Sequence, residues 1–216
     1  SFLMSKIKAI IFDMDGVLID AKEWHYEALN KALGHFGYRV TRYDHLVTYD
    51  GLPTIMKLDM LSREQGLPRQ MHDFINELKQ KYTMEKVYAH CKPNFHHEYA
   101  LSKLKSEGYG IGCASNSIRD SVSIMLSKSE LLKYMDVVFS AQDVENPKPE
   151  PDMYIKAMKR LGVKPEECLI VEDNENGIKA ARASGAHLLV VTEVDEVNID
   201  NIYNAINKAE RNGSNV

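Results

Sequence analysis

Five short, mostly apolar runs punctuate this chain: Ile7–Phe12 (IKAIIF), Gly110–Ala114 (GIGCA), Val137–Ala141 (VVFSA), Cys168–Glu172 (CLIVE) and His187–Val191 (HLLVV). Runs that are apolar throughout, rather than at every second position, read as strands buried on both faces, which is the pattern of a parallel sheet covered by helices. The intervals between the later runs suit that cover. Ile118–Leu126, Pro151–Leu161 (with Tyr154, Ala157, Met158 and Leu161 on one face) and Asn174–Ser184 before Gly185 read as amphipathic helices. Proline early and glycine just past the end are start and stop signals. Strand and helix in alternation specify an α/β fold, a doubly wound parallel sheet with right-handed crossovers.

One interval breaks the rhythm. From Asp20 to Pro93 helical periodicity recurs without a convincing strand, in Trp24–Phe36, Thr54–Gln65 and Met71–Tyr82, separated by Gly51-Leu52-Pro53 and Gly66-Leu67-Pro68. That stretch is too long for an ordinary crossover, so a small helical domain, 20–93, is expected as an insertion after the first strand of a core made from 1–19 and 94–216. A chain of 216 residues has material for one such core and an appended unit. The polar ending Glu210–Val216 is expected to fray.

Charge and cysteine content exclude several classes. A net charge of -4 offers no broadly basic surface for nucleic acid, although a local basic pocket for a small anion stays compatible with it. No apolar run approaches the ~18 residues of a membrane span. The opening SFLMSKIKAIIFDMDG meets acidic residues too soon for a secretory signal, and the residues before Met4 read as a cloning remnant. The 3 cysteines, Cys91, Cys113 and Cys168, are odd in number and lack CxxC spacing, so neither a disulfide framework nor a zinc cluster is indicated. Cys113 and Cys168 lie in apolar runs and read as buried thiols. The expectation is a cytoplasmic protein without nucleic-acid or membrane partners; the oligomeric state stays open, and a monomer is compatible.

The candidate chemistry sits where strands end. The first run closes in FDMDGV, and an extended backbone would direct Asp13 and Asp15, two apart, to the same side. Taken alone, Asp15-Gly16 reads equally well as a turn. The fourth run closes in VEDNENG, bringing adjacent Glu172 and Asp173 to a second strand end. In open α/β sheets, sites gather at the carboxyl ends of strands where the winding reverses. Carboxylates converging there at ~4 Å would repel by about 4 kcal/mol per pair at an effective dielectric near 20, which calls for a divalent cation. All-oxygen ligands favour Mg2+ or a similarly hard ion. The second run closes in CASNS, where Ser115 and Asn116 precede a helix: a phosphate cradle, or a plain helix cap. After the third run comes ENPKPEPDMY, with Lys148 aimed by prolines on both sides, or simply solvated.

FDMDGV, CASNS, NPKPEPDMY and VEDNENGIKAARASG, in that order and spacing, resemble the four motifs of the haloacid dehalogenase superfamily. The resemblance is closest to the subgroup with a small helical cap, which includes beta-phosphoglucomutases and phosphoglycolate-type phosphatases. It implies Asp13 as nucleophile and Asp15 as general acid and base, with Mg2+ on Asp13, the Asp15 main-chain carbonyl and one or both of Glu172 and Asp173. Ser115 and Asn116 would receive the phosphoryl group or substrate, and Lys148 would balance its charge. A protonated Asp15 near neutral pH calls for a raised pKa, which burial and neighbouring carboxylates would supply.

Cap positions carry less. His25 matches a histidine of beta-phosphoglucomutase-like caps, and Gly51 is placed with it among the substrate-binding positions. Thr54 stands where mutases of the group carry an arginine for a second phosphate, which disfavours mutase activity; Lys57 or Lys86 would be alternative sources of positive charge, or solvated helix lysines. Ala21, Asn174 and Pro93-Asn94 depart from common family choices without removing a core catalytic group. The implied function is a Mg2+-dependent phosphatase that hydrolyses a small phosphate monoester, a sugar phosphate or similar metabolite, through an aspartyl-phosphate. A phosphosugar mutase and a phospho-accepting signalling module are the alternatives.

Overall fold

In the computed structural model, which describes residues 6–212, all five expected runs form one parallel sheet in the order β3-β2-β1-β4-β5. The strands are β1 (Ala9–Phe12), β2 (Gly110–Ala114), β3 (Val137–Phe139), β4 (Cys168–Glu172) and β5 (His187–Val190). The third is shorter than expected, because Ser140 leaves the ladder to accept a capping role: the Asp143 carboxylate takes both its backbone N–H and its hydroxyl. The chain begins in the middle of the sheet, winds outward through β2 and β3, then crosses to β4 and β5 on the other side. The ends of β1, β2 and β4 are therefore neighbours at the point of reversal, with Phe12 level with Cys113 and Val171.

Alternate strand residues feed two cores. Ile10, Phe12, Ile111, Cys113, Leu169 and Val171 pack on one face against α5 (Phe95–Ser106), α6 (Arg119–Lys128) and α9 (Ile199–Asn212). Ile11, Ala114, Phe139 and Ile170 pack on the other against α7 (Asp152–Leu161) and α8 (Glu175–Ser184). Side chains such as Phe12 and Ile10 are wholly buried, each worth about 1.5–3 kcal/mol by transfer. The amphipathic α9 went unread in the sequence; it fills the first face with Ile202, Ile206 and Ala209. Helix α9 takes in residues 210–212 of the tail expected to fray; the rest of that tail, like the residues before Met4, lies outside the described residues.

Between β1 and α5 stand four α-helices, α1 (Lys22–Gly34), the single turn α2 (Arg42–Asp44), α3 (Thr54–Gln65) and α4 (His72–His90), with a wide turn at His45–Tyr49. Of these, α1, α3 and α4 share a third core, in which Leu29, Leu33, Leu58, Leu61 and Ile75 pack with Val40 and Tyr49 of the connecting segments. Helix α4 extends eight residues past the expected Tyr82, because Val87 and Cys91 find burial against the sheet-side core.

Candidate active site

Asp13 follows the last residue of β1 and is held in the sheet's register by its N–H on Val171 O, 3.0 Å away. Lys148 meets it from the loop after β3. Its ammonium makes three hydrogen bonds, to Asp13 Oδ1 (3.1 Å), Glu172 Oε1 (2.7 Å) and Ala114 O (2.7 Å), so no donor is left over. The Tyr154 hydroxyl donates to the same Glu172 oxygen. What aims the lysine is Asn116 as well as the flanking prolines: its Oδ1 accepts from Lys148 N (3.1 Å) and its Nδ2 donates to Lys148 O (3.0 Å).

Carboxylate oxygens of Asp13, Glu172 and Asp173 lie within 4.8 Å of one another. Burial, with the Glu172 charge adding to it, pushes Asp13 up to about 8 against the pull of Lys148. Asp173 is pushed up to about 7 by burial and Asp13, while the Lys22 ammonium, 2.5 Å from its Oδ2, works the other way. Lys148 stays charged, since Asp13 and Glu172 outweigh its burial. Three buried carboxylates with only oxygen to offer fit a hard divalent cation. Asp173 Oδ2 supports the fit, being buried and without an aligned hydrogen bond despite its ion pair. Glu172 is the most committed of the three, with Oε1 taken by Lys148 and Tyr154.

Asp15 lines the same cavity with different partners. The Asp15-Gly16 turn forms, with Gly16 at φ +84°, and a Cβ there would stand 2.2 Å from Asp173 Oδ2. Asp15 Oδ2 accepts from Ser117 Oγ (2.9 Å) and sits 3.0 Å from His25 Nε2. The other imidazole nitrogen, Nδ1, is 2.8 Å from Lys79 Nζ. When Lys79 is an ammonium it can only donate, so Nδ1 then accepts and the imidazole proton sits on Nε2, 3.0 Å from Asp15 Oδ2. The expected rise in the Asp15 pKa is overturned. Burial does push it up, but His25, Ser117 and Lys79 together hold the carboxyl below its ordinary value. Burial, with Lys57 adding to it, brings Lys79 down to about 7.

The two halves meet in one cavity of about 320 Å³, lined by Asp13, Asp15, Ser115, Asn116 and Lys148 from the sheet side and by His25, Gly51, Thr54, Lys57 and Lys79 from the helical insertion. Glu172 and Asp173 lie beneath it, beside Asp13. The loop carrying Gly51 is clasped from below: Asn116 Nδ2 donates to Gly51 O (2.8 Å) and Asn176 Nδ2 to Asp50 O (2.9 Å). Gly51 has φ +83°, and a Cβ on it would stand 2.2 Å from Asn174 Oδ1. Ser115 is buried, its hydroxyl accepting from Ser117 N at 3.1 Å. Lys86 is not in the cavity; it is an exposed partner of Glu27 at 2.8 Å.

Lys22, Lys79, Ser117, Tyr154 and Asn176 were missed from sequence. Lys79 left a signal, since it stands in the buried stripe Ile75, Lys79, Thr83 and Val87, at four-residue spacing along α4, where a lysine is out of place.

Comparison with known proteins bears on family and fold. The model of the haloacid dehalogenase-like hydrolase family matches residues 10–191. A pyrophosphatase PpaX of Bacillus mycoides is 31% identical, over 87% of this chain and 84% of its own length. A phosphorylated carbohydrates phosphatase of Thermotoga maritima is 29% identical, over 83% and 82%. Among solved structures, a beta-phosphoglucomutase of Clostridium difficile superposes with a TM-score of 0.81 at 23% identity, covering 94% of this chain and 98% of its own, which speaks to fold alone.

Proposed function

The chain belongs to the haloacid dehalogenase-like hydrolase family, and from that premise we propose that it is a magnesium-dependent phosphatase hydrolysing a small phosphate monoester, a sugar phosphate or similar metabolite, by way of an aspartyl-phosphate on Asp13. The observation that carries this reading is the divided fate of two carboxylates only two residues apart. Asp13 joins Lys148 and the acidic cluster, whereas Asp15 joins Ser117, His25 and Lys79. Different surroundings give paired carboxyls different tasks. The phosphatase names of the relatives at 31% and 29% identity support the same class.

Magnesium, held by Asp13, Asp173 and the Asp15 main-chain carbonyl, with Glu172 behind them, would supply positive charge at the phosphoryl oxygens and keep Asp13 ionised. Asp13 attacks phosphorus in line, an Asp13–phosphorus bond forming as the ester P–O bond breaks. Lys148 stabilises charge on the transferring group, and Ser115 cradles it together with the main chain of Asn116, whose side-chain amide is engaged with the Gly51 and Lys148 backbones. Asp15 hands a proton to the departing oxygen and then takes one from the water that attacks the aspartyl-phosphate, releasing inorganic phosphate and restoring Asp13. Its low pKa suits the second task. The chain from Lys79 through His25 provides the proton that the first task needs. Residues 20–93 act as a cap that closes over the substrate and excludes water, and the clasp of Asn116 and Asn176 on Gly51 and Asp50 holds it shut.

A phosphate-release screen over sugar phosphates, phosphoglycolate and nucleotides, with and without magnesium, tests the proposal against Asp13→Asn. Magnesium-dependent release above that variant is expected; its absence across the screen would sink the reading.

A further inference from the structure

Four lysines line the cavity, and three of them have partners. Lys148 bridges Asp13 and Glu172, Lys22 lies 2.5 Å from Asp173 and 3.8 Å from Asp50, and Lys79 meets His25. Lys57 has none. It projects from the buried face of α3, is 5% exposed, and its ammonium makes no hydrogen bond or ion pair among the described residues. The acids that feel its charge are committed elsewhere, Asp50 to Lys22 and Asp15 to Ser117 and His25. Leu52, Pro53 and Ile55 add apolar wall around it. Water-poor surroundings make an unpaired ammonium costly and an arriving anion correspondingly favourable.

We infer that Lys57 is a specificity residue, and that the substrate carries a second anionic group, a carboxylate or a second phosphate, at the end remote from the reacting phosphoryl group. The inference rests on the phosphatase reading only in placing that phosphoryl group at Asp13. A substrate with a neutral tail leaves Lys57 buried and unpaired, so the cavity selects against it. A second anion pairs with the one cation among the four that no protein group occupies.

Binding to a form that does not turn over separates this from the hydrolytic reading. In Asp13→Asn with magnesium, calorimetry compares 2-phosphoglycolate with ethyl phosphate, and fructose 1,6-bisphosphate with fructose 6-phosphate. The first pair reads a carboxylate and the second a phosphate. At least one second-anion ligand is expected to bind about ten- to a hundredfold tighter than its neutral-tailed counterpart, as for a hydrogen bond to a charged group. That advantage should vanish on adding Lys57→Met, while ethyl phosphate affinity holds and the melting temperature does not fall. No advantage in Asp13→Asn, or an advantage that survives Lys57→Met, overturns the inference. So does a Lys57→Met protein that loses ethyl phosphate too, since Lys57 would then serve the cavity as a whole. Phosphate release by the unaltered enzyme on the same four compounds reads the phosphatase proposal separately.

Discussion

Lys79 Nζ lies 2.8 Å from His25 Nδ1, so a helix of the insertion reaches Asp15 through a single imidazole. Lys79 is among the cations that hold Asp15 low, and after burial it is the strongest influence lowering His25. Removing its charge lets both groups titrate higher. Lys79→Met should therefore move the acidic limb of the kcat/KM profile to higher pH and lower kcat by about tenfold, whereas Asp15→Asn should cost about 10²–10⁴. A pH–rate series on both variants checks this; an unshifted acidic limb in Lys79→Met would remove it from the relay.

Gly51 is where the insertion comes closest to the sheet side, and its φ of +83° and the Asn174 amide 2.2 Å from a would-be Cβ both argue against any side chain there. Gly51→Ala must lift the loop off Asn116 and lose the 2.8 Å bond to the Gly51 carbonyl. An error of about 1 Å in such a wall can cost about 10²-fold in rate. The left-handed backbone adds about 1–3 kcal/mol of strain. Asn174→Ala in the same chain relieves the clash but not the strain, so the double variant should regain part of the lost kcat/KM while its melting temperature stays low. Steady-state kinetics and thermal melts on the single and double variants separate the two effects.

The sheet was legible because β1, β2 and β4 are apolar on both faces, and a run such as AIIF or CLIVE has few other homes. Asp13, Glu172 and Asp173 were legible because each sits at or just past a strand end, where the register brings them together, and Lys148 because prolines flank it in the loop after β3. The relay was not. His25 and Lys79 are 54 residues apart on separate helices, and nothing local says that those helices pack with these faces inward. The role of Asn116 was hidden for a similar reason: its amide, expected in the phosphate cradle, is spent on the Gly51 and Lys148 backbones, and the Gly51 contact exists only once the insertion is docked. The sign of the Asp15 shift failed because burial was foreseen and the cations facing it were not.

Lys148→Met removes the charge between two buried carboxylates, and breaking one side of such a cluster costs about 3–5 kcal/mol. Asp13 already holds its proton more tightly folded than unfolded, at about 8 against an ordinary 3.8. A group raised in this way contributes stability at low pH that is lost as pH climbs toward its folded pKa. Without Lys148 that loss steepens, so the deficit of the variant in metal-free buffer should be small near the ordinary carboxylate range and largest at neutral to mildly alkaline pH. Melting temperatures of both proteins across that range test it; a pH-independent deficit would assign the effect to packing.

Metal binding should show the opposite slope. Asp13, near 8, and Asp173, near 7, must both give up protons to become ligands, so magnesium affinity rises with pH and each binding event releases protons. Binding to the folded chain alone stabilises it by about 2.7 kcal/mol at a hundredfold excess over Kd. The melting shift produced by a fixed magnesium concentration should therefore grow from about pH 6 to about pH 8 and disappear with chelator. Asp173→Asn should abolish it, because the Asp173 Oδ2 atom has an ion pair but no aligned hydrogen bond to keep it from the metal. Glu172→Gln should weaken it less, since the Glu172 Oε1 atom is already committed to Lys148 and Tyr154. A magnesium shift that is flat with pH, or one that survives Asp173→Asn, would place the ion somewhere other than this cluster.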